Sequence, residues 1–324
     1  MNTRQLGKDG PFITEIGLGA WAIGGPWTWG WGEQNDEVSI HTIQRALDLG
    51  INWIDTAAVY GLGHGEEVVA EALKGRRTNV FVATKCGMVW DDRRRVRNNN
   101  RPESIRRECE NSLRRLNSDY IDLYQIHWPD KSVPVEESWG EMTRLKEEGK
   151  VLHIGVSNFG VELMEKCQQI HPVQSLQPPY SMVHRYVDKE ILPWCKEHSV
   201  GVVAYSPLQN GLLTGKFSRD FIQTLGEDDW RRVQDSRYFS EPLFSKVLDF
   251  VDSIRPIAEK YHKTLAQLAI AWVLMHPAVT SAIVGARKVE QAEQNIGGAD
   301  WQIKREDMEK IEEIFRETVI GKDN

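Results

Sequence analysis

The chain has 324 residues, 40% of them hydrophobic and 27% charged. That is enough apolar surface for a large core and excludes a wholly disordered chain. The formal net charge of −7 disfavours a generic nucleic-acid binder, which needs surplus Lys and Arg to neutralise phosphates.

The chain opens on "MNTRQLGKDGPF", a polar start without the apolar centre of a signal peptide. "RQLGKDGPFIT" reads as a hairpin turning at Gly7-Lys8-Asp9-Gly10. Short runs rich in β-branched residues follow: "TEIGLG" (14–19), "INWIDT" (51–56), "VFVATK" (80–85), "IDLYQIH" (121–127), "LHIGVSN" (152–158), "VQSLQP" (173–178), "VVAYSP" (202–207) and "SAIVGA" (281–286). Amphipathic helices are expected between them, over 37–49, 66–74, 102–116, 136–149, 161–169, 187–198 and 264–276. Eight strands alternating with helices predict an α/β chain, one (β/α)8 barrel domain over 1–324 with an N-terminal hairpin. Extra helices and loops are expected at the C-terminal end. A long irregular connection from Gln209 to about Leu243 reads as a lid or ligand clamp.

No apolar run reaches the roughly 18 residues of a membrane-crossing helix. Cys86, Cys109, Cys167 and Cys195 lie far apart, without the spacing of metal ligands. They read as reduced thiols with no metal site, and the expected location is cytoplasmic.

Polar or ionisable residues close nearly every strand: Asp55, Lys85, His127, Ser157-Asn158, Gln177, Tyr205-Ser206 and Gly285 to Arg287. In a barrel of parallel strands these ends open on one face, where active sites are built. A lysine buried there needs a counter-ion, and Asp55 is the nearest candidate. Tyr60, with a reference pKa of about 10, is a poor acid near neutrality unless a cation beside it stabilises the tyrosinate. Lowering that value by about two units takes roughly 3 kcal/mol, which Lys85 is expected to supply. His127 would orient a carbonyl oxygen by donating a hydrogen bond.

The ordered segments "GLGAW", "IDTAAVYGLGHGEE", "VFVATK", "LNSDYIDLYQIHWPD", "EEGKVLHIGVSNF", "VVAYSPL" and "IVGARKVEQAEQN" resemble the motif series of the aldo-keto reductases, from about Leu6 to Ile314. The "GAWAIGG" opening and "GARKVEQ" ending look closer to bacterial members related to general stress and inositol-catabolism reductases. The resemblance implies a nicotinamide cofactor across the barrel mouth and reversible hydride transfer between an aldehyde or ketone and its alcohol. It implies Tyr60 as proton donor, with Asp55, Lys85 and His127 completing a tetrad. Ser157, Asn158 and Gln177 would hold the carboxamide, Tyr205 would stack on the nicotinamide, and the segment after Ser206 would wrap the pyrophosphate. Cofactor contacts are expected from Ala20, Trp21, Asp55, Pro207, Leu208, Gly211, Leu213 and Lys216. Others are expected at the adenosine end from Gly285, Ala286, Arg287, Gln291 and Asn295. Arg287 and Lys288 open a short helix there, which suits a phosphate, so NADP(H) is preferred over NAD(H).

Trp21, Trp27, Trp29 and Trp31 crowd the segment after the first barrel strand. One reading packs them against the barrel; the other makes one or two of them a substrate wall. Trp21, Trp29, Tyr60, Trp90, His127 and Trp128 are the residues expected to line that pocket. "DDRRRVRNNNR" (91–101) reads as a solvated loop near the mouth, and Cys86 as inert packing. Two nucleotide motifs fail on context. "GLGAWA" (17–22) is not followed by a helix, and "GLLTGK" (211–216) lacks the spacing of a phosphate-binding loop. Two other readings remain on the same fold: a non-catalytic NADP(H)-sensing regulatory subunit, and a lyase forming a Schiff base on Lys85.

Overall fold

The computed structural model describes residues 1–30, 32–226, 229, 231 and 237–320. Trp31 and parts of the expected 209–243 connection lie outside the described residues.

The chain begins as an antiparallel hairpin, β1 (Thr3–Gln5) with β2 (Phe12–Thr14). Eight parallel strands then close a barrel: β3 (Ile16–Gly19), β4 (Trp53–Asp55), β5 (Phe81–Cys86), β8 (Ile121–Ile126), β9 (Val151–Ser157), β10 (Ser175–Gln177), β11 (Gly201–Ala204) and β12 (Val279–Gly285). Each pairs with its neighbour in that order, and β12 returns to β3 through Ala282↔Ile16 to Gly285↔Gly19. Every expected barrel strand is present. Between β5 and β8 a second hairpin forms, β6 (Met88–Trp90) with β7 (Val96–Asn98).

Side chains alternate along a strand, so each strand feeds two cores. Outward residues such as Ile54, Val82 and Tyr124 meet the surrounding helices in the main core. Inward residues Trp53, Ala83, Leu123, Val203 and Ile283 fill the barrel together with Leu6 and Ile13. The opening hairpin therefore plugs the end where the strands begin. Trp53 Nε1 donates to Thr14 O and Ser281 Oγ at 3.2 and 3.1 Å, pinning plug, floor and wall together. The same period of two lifts Asp55 one layer above Trp53 and Lys85 one layer above Ala83.

The expected helices form as Asp36–Asp48, His64–Ala72, Pro102–Arg115, Val135–Glu147, Val161–Gln168, Ile191–Glu197 and Leu265–Leu274. Asn35 caps the first through its side chain, and Thr264 with Gln267 makes a capping box on the last. Leu243–Lys260, Val289–Ile296 and Arg305–Phe315 are further helices. The described part of the 209–243 connection holds three short 3-10 turns, at 212–214, 221–224 and 237–239. Among the described residues no helix is long and apolar enough to cross a membrane, and no His/Cys/Asp/Glu cluster suits a metal.

Candidate active site

The inward residues at the strand ends meet in one hydrogen-bonded cluster. Lys85, 1% exposed, donates to both oxygens of Asp55 at 2.9 and 2.8 Å and to Thr56 O at 2.8 Å. A third direction reaches the Tyr60 hydroxyl at 3.3 Å. Gln177 Nε2 donates to Asp55 Oδ1 at 2.8 Å, so the carboxylate is held from two strands. His127 stands edge-on to Tyr60, ring centroids 5.8 Å apart. Asn158 carries the network outward: its Nδ2 donates to His127 O at 3.0 Å and to Ser157 Oγ at 2.9 Å. Its Oδ1 accepts from Tyr205 OH at 2.9 Å.

Tyr60 is presented by a strained turn. Gly61, Leu62 and Gly63 all have positive φ, a conformation costly for a leucine. A Cβ on Gly61 would sit 1.9 Å from Gly24 O, so the loop after β3 lies directly on the turn, backbone to backbone. Underneath, Glu66 is fully buried, accepting from Thr84 Oγ1 at 2.6 Å and Arg115 Nε at 2.7 Å.

The electrostatics correct one expectation. Tyr60 is not brought down by Lys85; burial, then the Asp55 charge, pushes its hydroxyl well above the ordinary value. Burial is the larger cause, and the Asp55 carboxylate that holds the Lys85 ammonium adds to it, so one nearby cation does not outweigh the loss of water. Burial lowers the Lys85 ammonium, with Asp55 opposing. Burial, then Lys85, pushes His127 well below its usual range, which leaves it a neutral imidazole. A protonated tyrosine and a neutral histidine are two hydrogen-bond donors at the foot of a cavity.

That cavity measures about 1120 Å³. Around Tyr60 and His127 its wall is Trp21, Ala22, Trp27, Trp29, Met88, Asn98 and Trp128. It continues past Asp55, Ser157, Asn158, Gln177 and Tyr205 to Ser206, Pro207, Leu208, Gly211 and Lys216. Arg255, Lys263, Thr264, Gly285, Arg287, Gln291 and Asn295 also line it. Ser206, Gln209 and Asn210 have positive φ, and so does Gly211. Backbone strain is therefore concentrated just past β11, at three non-glycine residues.

Several expected positions differ. Ala20, Leu213 and Ala286 are at most 2% exposed and pack into the main core instead of facing the cavity. Trp90 packs behind the wall with Val96 and under the Arg115 guanidinium, 6.0 Å from its ring. Trp27, not among the expected lining residues, stands 5.6 Å from the Tyr60 ring and edge-on to both Trp21 and Trp29. The arginine-rich 91–101 stretch is no plain loop: Asp91 ties its turn by accepting from Arg93 N and Arg95 N, and Asn98 reaches the cavity. Cys86 is buried, and burial pushes its thiol well up.

The profile of the Aldo/keto reductase family matches residues 15–316. The chain belongs to the aldo-keto reductases. It is 39% identical over 322 residues to the aldo-keto reductase YhdN of Bacillus subtilis, covering 98% of this chain and 95% of that protein. Against the NADH-specific methylglyoxal reductase of Escherichia coli the identity is 36%, over 96% of this chain and all of the other. Among solved structures, a glycerol dehydrogenase from Gluconobacter oxydans superposes with a TM-score of 0.89 at 39% identity, covering 99% of this chain and 97% of that one.

Aldo-keto reductases are oxidoreductases that use nicotinamide cofactors, and the cavity fits one. Tyr205 and Gln177 line it, and with the Gln177 amide nitrogen spent on Asp55 the side chain has its Oε1 left as an acceptor. Lys216, Arg255, Lys263 and Arg287 line the remainder, a donor set suited to phosphates.

Proposed function

We propose that the chain reduces a small aldehyde or ketone with NADPH, reversibly, Tyr60 giving the proton. The observation that supports this best is the buried Lys85 ammonium within 3.3 Å of the Tyr60 hydroxyl while anchored on Asp55. The cofactor, when bound, supplies the hydride; the chain supplies everything else. A carbonyl oxygen at the foot of the cavity would accept from Tyr60 OH and from neutral His127. As negative charge develops on that oxygen, both donors strengthen without reorganising, because Asp55, Gln177 and Asn158 already fix their neighbours. Tyr60 then passes its proton to the oxygen, and Lys85 stabilises the tyrosinate left behind. The indoles of Trp21, Trp27 and Trp29 hold the carbon skeleton and exclude water. Ser157, Asn158, Gln177 and Tyr205 would seat the nicotinamide, Ser206 to Lys216 the pyrophosphate, and Gly285 to Asn295 the adenosine end.

NADPH is preferred to NADH because Arg287, which lines the cavity together with Lys216, Arg255 and Lys263, would meet an additional phosphate. The kcat/KM ratio for the two cofactors, before and after Arg287→Ala, tests this; an unchanged ratio refutes it. The chemistry is tested by Tyr60→Phe against a panel of aldehydes. Carbonyl reduction should fall at least about a hundredfold while cofactor binding persists. Unchanged turnover would remove Tyr60 from its role. Tight NADPH binding by the unsubstituted protein, without turnover of any carbonyl, would instead favour a cofactor-sensing subunit.

A further inference from the structure

The loop after β3 carries the tryptophan wall, and three contacts gather it. Near its start, Gly24 lies against Tyr60 and Gly61. Next, Pro26 O accepts from Arg94 Nη2 at 2.8 Å, which ties the loop to the tip of the β6–β7 hairpin. At the far end the partner is Arg287, 253 residues on. Its Nε donates to Gln34 Oε1 at 2.8 Å, and Gln34 Nε2 donates back to Arg287 O at 3.0 Å. Arg287 Nη2 also donates to Glu33 O at 2.7 Å.

This contact is reciprocal, uses side chain and backbone on both partners, and fixes the plane of the guanidinium. It is also continuous with the cavity. Arg287 N donates to Gln291 Oε1 at 2.7 Å, and Asn295 Nδ2 to Gly285 O at 3.2 Å; all four residues line the cavity. On the loop side, Asn35 follows immediately and caps the Asp36–Asp48 helix, accepting from Val38 N at 3.0 Å. The loop's end is thus held between a fixed helix and the segment assigned above to the adenosine end.

We propose that Gln34 and Arg287 form a latch coupling the cofactor end of the cavity to the tryptophan loop, so that cofactor binding completes the wall that holds the carbonyl. The proposal rests on the reductase reading above. A ligand that orders Gly285–Asn295 orders the side chain and carbonyl to which Gln34 is bonded. The loop then loses conformational freedom before the carbonyl arrives, and the carbonyl binds more tightly for it. Couplings of this type change affinity by about 5- to 150-fold, and they act equally in both directions. Gln34 is a positioning residue: it acts on substrate through the loop.

The test is hydrogen exchange read by mass spectrometry on the full chain, with and without NADPH, in the unsubstituted protein, Gln34→Ala and Gln34→Glu. NADPH should slow exchange in 285–295 and in 22–36 of the unsubstituted protein. In Gln34→Ala the first protection should persist while that of 22–36 falls at least about fivefold. At saturating NADPH the KM for racemic glyceraldehyde should then rise about tenfold with kcat nearly unchanged. Gln34→Glu, which keeps the acceptor for Arg287 Nε, should recover most of both effects. Equal protection of 22–36 in all three proteins, or none in the unsubstituted one, overturns the latch. If no carbonyl is reduced, the reductase reading falls while the exchange arm still decides the coupling.

Discussion

Replacing Glu108 with glutamine should stabilise the protein, and only where the pH is high enough for the glutamate to want its charge. Glu108 lies on the Pro102–Arg115 helix, 6% exposed, accepting from Gly87 N at 2.9 Å and Ser104 Oγ at 3.1 Å. Burial pushes its carboxyl up to about 7, and the Gly87 amide, Ser104, Arg107 and Arg115 offset that only in part. A rise from 4.5 to about 7, at about 1.36 kcal/mol per unit, is a penalty of roughly 3 kcal/mol on the charged form. Between those values the native state binds more protons than the unfolded chain, so stability falls as pH rises through the window. Glutamine keeps the acceptor for Gly87 and carries no charge. Urea unfolding of Glu108→Gln and the parent at a series of pH values reads the difference directly. The two should be nearly equal below the lower value and separate by up to roughly 3 kcal/mol above the upper one, the variant being more stable. A difference that stays flat with pH, or a variant less stable at alkaline pH, refutes the reasoning.

Three other outcomes follow from the site, and a glycine away from it serves as their control. Since Tyr60 is pushed up, chiefly by burial, it stays protonated through neutral and mildly alkaline pH, so reduction should not lose its proton donor there. Alcohol oxidation, which needs the tyrosinate, should keep rising with pH, and a Tyr60 titration near neutrality by tyrosinate absorbance against Tyr60→Phe would contradict this. Lys85→Met leaves the buried Asp55 with Gln177 as its side-chain donor and should cost about 3–5 kcal/mol in urea unfolding, largely restored by adding Asp55→Leu. A loss under about 1 kcal/mol would show that the pair is more hydrated than its burial indicates. Gly61→Ala, whose Cβ would meet Gly24 O at 1.9 Å, should lower turnover sharply. Gly75→Ala, at φ +74 with nothing within 4 Å, should cost only about 1 kcal/mol of unfolding free energy and no activity.

Much of this site was readable before the fold was known, because strand ends carry their chemistry in order. Asp55, Lys85 and Gln177 follow short apolar runs and share the inward parity of their strands, so period alone places them in one layer. What parity could not convey was the depth of burial: a lysine near a tyrosine suggests a lowered pKa, yet burial, with the Asp55 charge adding to it, pushes the hydroxyl up. The β6–β7 hairpin hid behind composition. Met88, Trp90, Val96 and Asn98 alternate with Val89 and Arg97, but the arginines between them dominate the pattern. The Leu243–Lys260 helix has apolar residues at helical spacing and an interior Pro256 that argues for a break, which packing overrides. Trp27 was legible only as one of a crowd. Which indole turns toward Tyr60 depends on how the loop docks, and that contact is made by the distant Gly61.

The neutral pairing of Lys85 with Asp55 gives the two halves of the cavity different relations to the surrounding electrolyte. Around Tyr60 and His127 the ionic groups are buried and paired with each other, so dissolved ions reach them poorly and screen them little. At the other end Lys216 is exposed, and Arg255, Lys263 and Arg287 are half-buried, so their pull on an anion weakens as ionic strength rises. Salt should therefore slow the capture of a phosphate-bearing ligand far more than it disturbs what happens once that ligand is seated.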